Sequence, residues 1–536
     1  FNLTPTTILN TRAGITRFYN TESPPSRGVL DPAALGFSSR TVSQFSDRSG
    51  VPRLDIPGFL ELGGRSPDLV AHTIYYAQPN VTKVFGNHSF RFGYDGRVYC
   101  ENSYPPLDVA GRYRFRTDFT RLNDQSSTAA PNGPQELAAF LLGVPATATI
   151  LVRPASRANQ QIYHGVYVQD DWKVTQKLTL NLGLRYEYEG ATTERYNRNI
   201  QLFDVTATNP IEARARAAYA AASSRPAEVP ADAFRTPGGL VFPDENNRGF
   251  YEVDKNNFQP RLGFAYQWNE RTVVRGGYAV YNAPFTIDGV TQTGFSFETA
   301  SVPTTNNGLT IIASFADPFP TGIVEPPGSR NGLATAIGQQ LGGAVNLVAN
   351  TIDRRVAPLT IGPRKNPLIH RYELSLQREL PGRWLVELAY IGSTGRDLTT
   401  FDDINPVPRR FLSASPLRDA ANITFLETTF PNPFRNLPEA AGTNHFSSST
   451  LQRQQLLRPF PQYQSIFVHR HDGRSRYDSG QLRVERRFTQ GFSIQGSYVF
   501  SKHLEEITKL NPTDGDYEKR LAEADSPHRF TMSGIY

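Results

Sequence analysis

The residues from Leu178 to Glu189 alternate in kind without a break. Leu178, Leu180, Leu182, Leu184, Tyr186 and Tyr188 have one parity; Thr179, Asn181, Gly183, Arg185, Glu187 and Glu189 have the other. A period of two places the first set on one face of a β-strand and the second on the opposite face. Just upstream, Tyr163 to Val174 reads as a partner strand, joined through a three-residue turn, Thr175 to Lys177. The run from Leu178 to Tyr188 matches the about 9–11 residues that a tilted strand needs to cross a bilayer. Strands of soluble proteins are usually about five or six residues long. The polar face carries Arg and Glu together, which suits a wet lumen better than a protein core. These residues predict a strand hairpin of a membrane β-barrel.

The pattern recurs along the chain. Phe90, Phe92, Tyr94 and Val98 alternate with Arg91, Gly93, Asp95 and Arg97. Phe258, Leu262, Phe264, Tyr266 and Trp268 alternate with Gln259, Arg261, Gly263, Ala265 and Gln267. Further apolar faces are Trp384 to Tyr390 and Phe492 to Phe500. Two classes of connection separate these strands. Gly86–Asn87, Thr175–Lys177, Asn269–Glu270, Pro381–Gly382 and Thr489–Gln490 are tight turns. Residues 20–68, 190–256, 284–362, 398–474 and 506–527 form long stretches rich in Pro, Gly, Asn and Ser. Short periplasmic turns and long extracellular loops are the asymmetry of outer-membrane barrels. A soluble β-sandwich gives the same alternation, but has no reason to put every long loop at one end. The expected fold class is all-β, an antiparallel transmembrane β-barrel with about 12–14 strands in this chain. Region 101–160 is the least regular. Gly111–Phe119 and Ala146–Arg153 have strand patterns, and Gln135–Leu142 has a short helical one.

Composition agrees with this reading. Apolar residues make up 38% of the chain and mean hydropathy is −0.43, as expected when only alternate strand residues meet lipid. No run of about 18 apolar residues marks a membrane helix. The 56 basic residues, nearly all arginine, and 50 acidic ones are interspersed. No basic block marks nucleic-acid binding. Cys100 is the only cysteine, so neither an internal disulfide nor a cysteine metal site is available. Phe1 opens the chain, Met532 is its only methionine, and no signal-peptide pattern is present. A segment of a longer protein is expected.

Several stretches resemble TonB-dependent outer-membrane receptors. YVQDDWKVTQKLTLNLGLRYEY (Tyr167–Tyr188) resembles a mid-barrel hairpin of that superfamily, as do NNFQPRLGFAYQW (Asn256–Trp268) and RTVVRGGYAVY (Arg271–Tyr281). ELAAFLLGVP (Glu136–Pro145), VELAYIGSTGRDL (Val386–Leu398), FPQYQSI (Phe460–Ile466), YDSGQLRVERRFTQGFSIQGSYVFSK (Tyr477–Lys502) and DSPHRFTMSGIY (Asp525–Tyr536) are similar to its Oar-like branch. The resemblance implies a barrel that is 22-stranded when complete. It also implies an N-terminal plug, a TonB box and, in this branch, a carboxypeptidase-regulatory-like domain. None of these is recognised within residues 1–536, and the resemblance implies further strands after Tyr536. Residues 1–536 are therefore expected to be part of one barrel domain, without plug or closing strands.

The implied function is import of a scarce extracellular ligand into the periplasm, driven through a TonB–ExbB–ExbD complex. Outer-membrane lipid would surround the barrel in a Gram-negative cell. The alternatives are an adhesion or secretion-related barrel without active import and, less favoured, an open porin. No catalytic, cofactor or nucleic-acid motif is present. His469 and His471 share a strand face, but no third ligand accompanies them; they read as polar residues of an extracellular loop. The adjacent Asp170 and Asp171 point to opposite faces, so they make no acid/base pair. Seven residues are expected to face the lumen: Arg91, Arg97, Arg185, Glu187, Glu189, Arg261 and Arg275. Mutual charge pairing is their simplest role, and contact with plug or substrate the other. The long loops, including Phe295, Phe297, Phe315 and Phe319, are the expected place for ligand recognition.

Overall fold

The computed structural model describes residues 1–536 except 24, 26, 30, 46–49, 65–67, 105–107, 109, 123–132, 153–155, 285–296, 307, 324–340, 354–359, 363, 441–443 and 490. Among the described residues twelve strands form one continuous antiparallel meander, and Val345–Asp353 joins the same sheet parallel to the tenth of them. The first six are β1 (Thr7–Glu22), β2 (Asp68–Phe85), β3 (His88–Tyr104), β4 (Arg157–Lys173), β5 (Leu178–Glu189) and β6 (Phe258–Asn269). The second half is β7 (Thr272–Asn282), β8 (Leu368–Leu380), β9 (Trp384–Asp403), β10 (Ile466–Thr489), β11 (Phe492–Glu506) and β12 (His528–Ile535). Each pairs antiparallel with the next. Beyond β2, β1 pairs only with the short strand Asn2–Thr4, and β12 pairs only with β11 among the described residues. No described helix is long and apolar enough to cross a membrane.

Register turns the alternation of each strand into rows across the wall. Leu376, Leu388, Leu482, Tyr498 and Phe530 stand opposite one another on five successive strands. All five are exposed, which is the expected state of a face whose solvent is hydrocarbon. Aromatic residues bound this apolar band. Near the short turns are Trp172, Trp268 and Trp384, with the His88 ring stacked on Trp172 at 5.1 Å. At the other border one contact occurs three times. The hydroxyls of Tyr94, Tyr278 and Tyr498 meet Nδ1 of His164, His370 and His528 at 2.6, 2.7 and 2.7 Å. Each links diagonal neighbours on adjacent strands, so a polar tip is satisfied where the wall leaves the lipid.

The connections follow the expected alternation of short and long, with corrections. The turn in the first hairpin spans four residues, 174–177, because β4 ends at Lys173. The Gly111–Phe119 and Ala146–Arg153 stretches are not barrel strands. Only Arg112–Arg114 and Thr147–Val152 are extended. They join Arg53–Asp55 and Phe297–Ala300 in a separate four-stranded sheet, and Arg153 lies outside the described residues. The helix does form, at Pro134–Leu141. The 398–474 stretch is a loop only over 404–465, since β9 continues to Asp403 and β10 starts at Ile466.

The long connections fold together above the wall around two apolar clusters. One gathers Phe203, Tyr219 and Phe234 with Leu341, Val345, Phe434 and Tyr463. It therefore draws on the loops after β5, β7 and β9. The other gathers Phe37, Ile56, Tyr113, Phe115, Ile150 and Phe319, from the loops after β1, β3 and β7. The loop after β7 contributes to both.

Candidate functional site

Alternation places all seven candidate residues on the inner parity of their strands. The structure joins three of them into one network on β3, β4 and β5. Arg97 makes a bidentate pair with Asp95, at 2.8 and 2.7 Å, a geometry that fixes direction as well as charge. Asp95 also accepts from Gln78 Nε2 at 3.0 Å and lies 3.5 Å from Arg185. Arg185 donates to Glu187 at 2.6 Å and to the Tyr163 hydroxyl at 2.8 Å. That hydroxyl donates to Glu187, also at 2.6 Å. Arg97 stands over the Tyr163 ring and Arg185 over the Tyr167 ring, at 5.6 and 5.7 Å. Each acid here has a cation and each cation a second partner, which a half-buried charge requires.

The remaining four are placed differently. Glu189 is 6% exposed and anchors the loops to the wall: it accepts from Gln161 at 3.1 Å and from Asn366 at 2.5 Å. Arg261 lies against the Tyr281 ring, 4.9 Å from its centroid. Arg275 donates to Gln377 at 2.9 Å. Arg91 has no ion pair among the described residues. It lines an inner cavity of about 510 Å³ with Arg12, Asn10, Gln78, Tyr167 and Arg185. Asp95, Tyr163 and Arg12 were not among the sequence candidates. Asp95 shares the face of Arg91 and Arg97, so alternation marked it. Tyr163 and Arg12 needed the register between strands.

Other expectations change in the folded chain. His469 and His471 lie on β10 rather than in a loop, and both are buried. The His469 ring meets Phe401 edge-on at 4.5 Å, and His471 Nδ1 is 3.5 Å from the Thr399 hydroxyl. No group of three metal-ligating side chains occurs among the described residues. Phe315 and Phe319 belong to the core of a loop module rather than to an open recognition surface. Phe295 lies outside the described residues. Asp170 and Asp171 do face opposite ways: the first pairs with His88 at 2.7 Å on the outer face, the second accepts from Asn181 at 2.6 Å on the inner face.

An apolar outer wall, a charged inner wall and loops gathered at one end define an outer-membrane β-barrel. The family described as outer membrane beta barrel domain matches residues 1–536, and the chain belongs to it. This places the protein in the outer membrane. No curated protein sequence matches the chain. Among solved structures it is similar to the outer membrane transporter YddB from Escherichia coli, with a TM-score of 0.41 and 10% identity over 99% of this chain and 46% of that one. It is also similar to the closed form of the ferric-catecholate import receptor Fiu from E. coli K12, with a TM-score of 0.38 and 12% identity over 99% and 49%. The copper transporter OprC gives 0.39 and 8% over 94% and 45%. The chain spans about half the length of these structures.

Proposed function

We propose that this chain forms a large part of the wall of a TonB-dependent receptor that imports a scarce extracellular ligand into the periplasm. The observation that carries the reading is the division of the wall. Its outer face is apolar and its inner face holds the Asp95–Arg97–Arg185–Glu187 network beside exposed Arg12 and Arg91. A barrel whose only task is to display loops needs no such charged lining. Excess cation on a lumen wall raises the local concentration of anionic solutes, which favours an acidic cargo. Beyond the Asn2–Thr4 strand on β1, the outer edges of β1 and β12 have no partner among the described residues, which supports a second part of the proposal. Lipid does not tolerate open ladders, so in the membrane these edges are expected to be paired within a closed barrel. A plug inside that barrel would gate it and meet TonB–ExbB–ExbD.

Two measurements on the full-length protein test this. In liposomes it should hold small solutes rather than leak them. In cells, growth on limiting nutrient should depend on both the protein and the inner-membrane proton gradient. Free leakage would make it a porin. A sealed barrel whose loss changes cell attachment but not uptake would make it an adhesin.

A further inference from the structure

Above the Tyr–His border the outer face changes character on three adjacent strands. β9, β10 and β11 carry Arg396, Arg474, Arg476 and Lys502 on the face that lower down bears Leu388, Leu482 and Tyr498. The parity is secure, because the β10–β11 ladder keeps one register from Arg474–Glu506 to Arg486–Ile494. At the matching height on β2, β3 and β4 the outer residues are Thr73, Cys100 and Gln160, all neutral. The loop after β11 folds back against this sector. The Tyr517 hydroxyl donates to Asp472 at 2.6 Å, and Lys509 reaches Asp402 at 3.4 Å.

Between loop and wall lies a cavity of about 890 Å³. Arg396, Arg474 and Lys519 line it, and none has a carboxylate within ion-pair distance among the described residues. Arg476 also lines it, held by Asp478 at 2.7 Å. Five acids line it too: Asp397, Asp472 and Glu505 are paired with Lys365, Arg470 and Arg520, which leaves Glu506 and Asp516. The cavity thus offers cations for phosphate and carboxylates that accept from hydroxyls. Its wall residues Arg474, Arg476, Leu504 and Glu506 are of the outer parity.

We propose that this cavity holds the headgroup of a phosphorylated glycolipid of the outer leaflet, with Arg396, Arg474 and Lys519 on phosphate and Glu506 and Asp516 on sugar hydroxyls. The acyl chains would then run down the apolar face beside Leu482 and Tyr498. Basic side chains at a membrane surface each strengthen binding of anionic lipid by about fivefold. The proposal does not depend on what the barrel transports.

The test uses the full-length protein in phosphatidylcholine nanodiscs doped with lipid A, with native mass spectrometry reading retained lipid. Lipid A should be retained over its dephosphorylated form. R474Q and K519Q should each lower retention by about fivefold, while R474K retains most of it. R483Q on the inner face is the control and should change nothing. Both tested side chains are exposed, so folding is not at issue, and gel mobility of the unheated protein checks it. Equal retention of the dephosphorylated lipid would overturn the proposal, as would indifference to R474Q and K519Q together. Equally tight binding of glucosamine 1-phosphate alone would assign the cavity to a soluble phosphosugar instead.

Discussion

At the residue scale, the inner network depends on a position with no side chain. Tyr167 lies across Gly93, its partner on the neighbouring strand, so that a Cβ at Gly93 would stand 2.3 Å from the ring. The ring in turn lies under the Arg185 guanidinium. Gly93→Ala must displace Tyr167 and with it one support of Arg185. Overpacking of this kind costs about 1–3 kcal/mol. Denaturation midpoints should drop for Gly93→Ala and for Tyr167→Ala, and the double variant should fall well short of their sum. Additive losses would mean that the two residues do not act as a unit. A second residue carries a pH dependence outside the membrane. His445 is buried in a loop core, stacked on Phe434 at 5.0 Å, with Nε2 donating to the Pro461 carbonyl at 3.2 Å. Burial lowers its pKa from 6.5 to about 4. Below 6.5 the unfolded loop takes up a proton that the folded one refuses. The loop's stability is therefore full above that pH and is lost as pH falls towards 4, by on the order of 3 kcal/mol. Hydrogen exchange in residues 430–463 should speed up across this window, and His445→Phe should flatten the response. A wild-type profile with no slope between pH 6.5 and 4 would contradict the assignment.

At the scale of the strand, the sequence was most legible where the environment is simplest. β4 to β7 alternate cleanly because one face meets only lipid and the other only water and charge. That division makes opposite predictions for neighbouring positions. Leu182, on the lipid face of β5, should tolerate arginine badly, at about 2–4 kcal/mol near mid-bilayer. Asn181→Arg, one residue away and facing inward, should cost little. Folding into vesicles, followed by gel mobility, separates the two, and equal effects would place β5 outside the bilayer. Legibility failed where a strand leaves the lipid. The extension of β10 from Ile466 to Asp472 reads as a loop because both of its faces pack against protein. Ile466 and Val468 enter a loop core on one face, and His469 and His471 are buried on the other. Nothing in its own residues announces those partners. Arg112–Arg114 and Thr147–Val152 failed the other way. Their local pattern is that of a strand, but their neighbours, Arg53–Asp55 and Phe297–Ala300, lie far off in sequence.

For the whole molecule, the notable fact is that segments with loop composition build cores of their own. The sequence showed five long polar stretches and no sign that three of them meet. Their apolar residues are scattered, Phe203 and Phe234 in one stretch, Phe430 and Phe434 in another, and only chain folding gathers them. These cores meet the wall through one short parallel ladder, Val345–Leu347 against Ile466–Val468 on β10, and through the Glu189–Asn366 contact at 2.5 Å. The wall itself is held by ladders and lipid. Loops and wall should therefore lose structure separately. Phe434, fully buried beside Phe234 at 6.3 Å, tests this. Phe434→Ala removes about 3–5 kcal/mol from the loop core and nothing from a membrane-spanning ladder. Protease should cut residues 190–257 and 404–465 at lower temperature than in the parent protein, while the temperature at which the barrel loses its gel mobility stays fixed. If both transitions fall together, loops and wall form one cooperative unit, and a ligand that orders the loops would then stiffen the lumen wall beneath them as well.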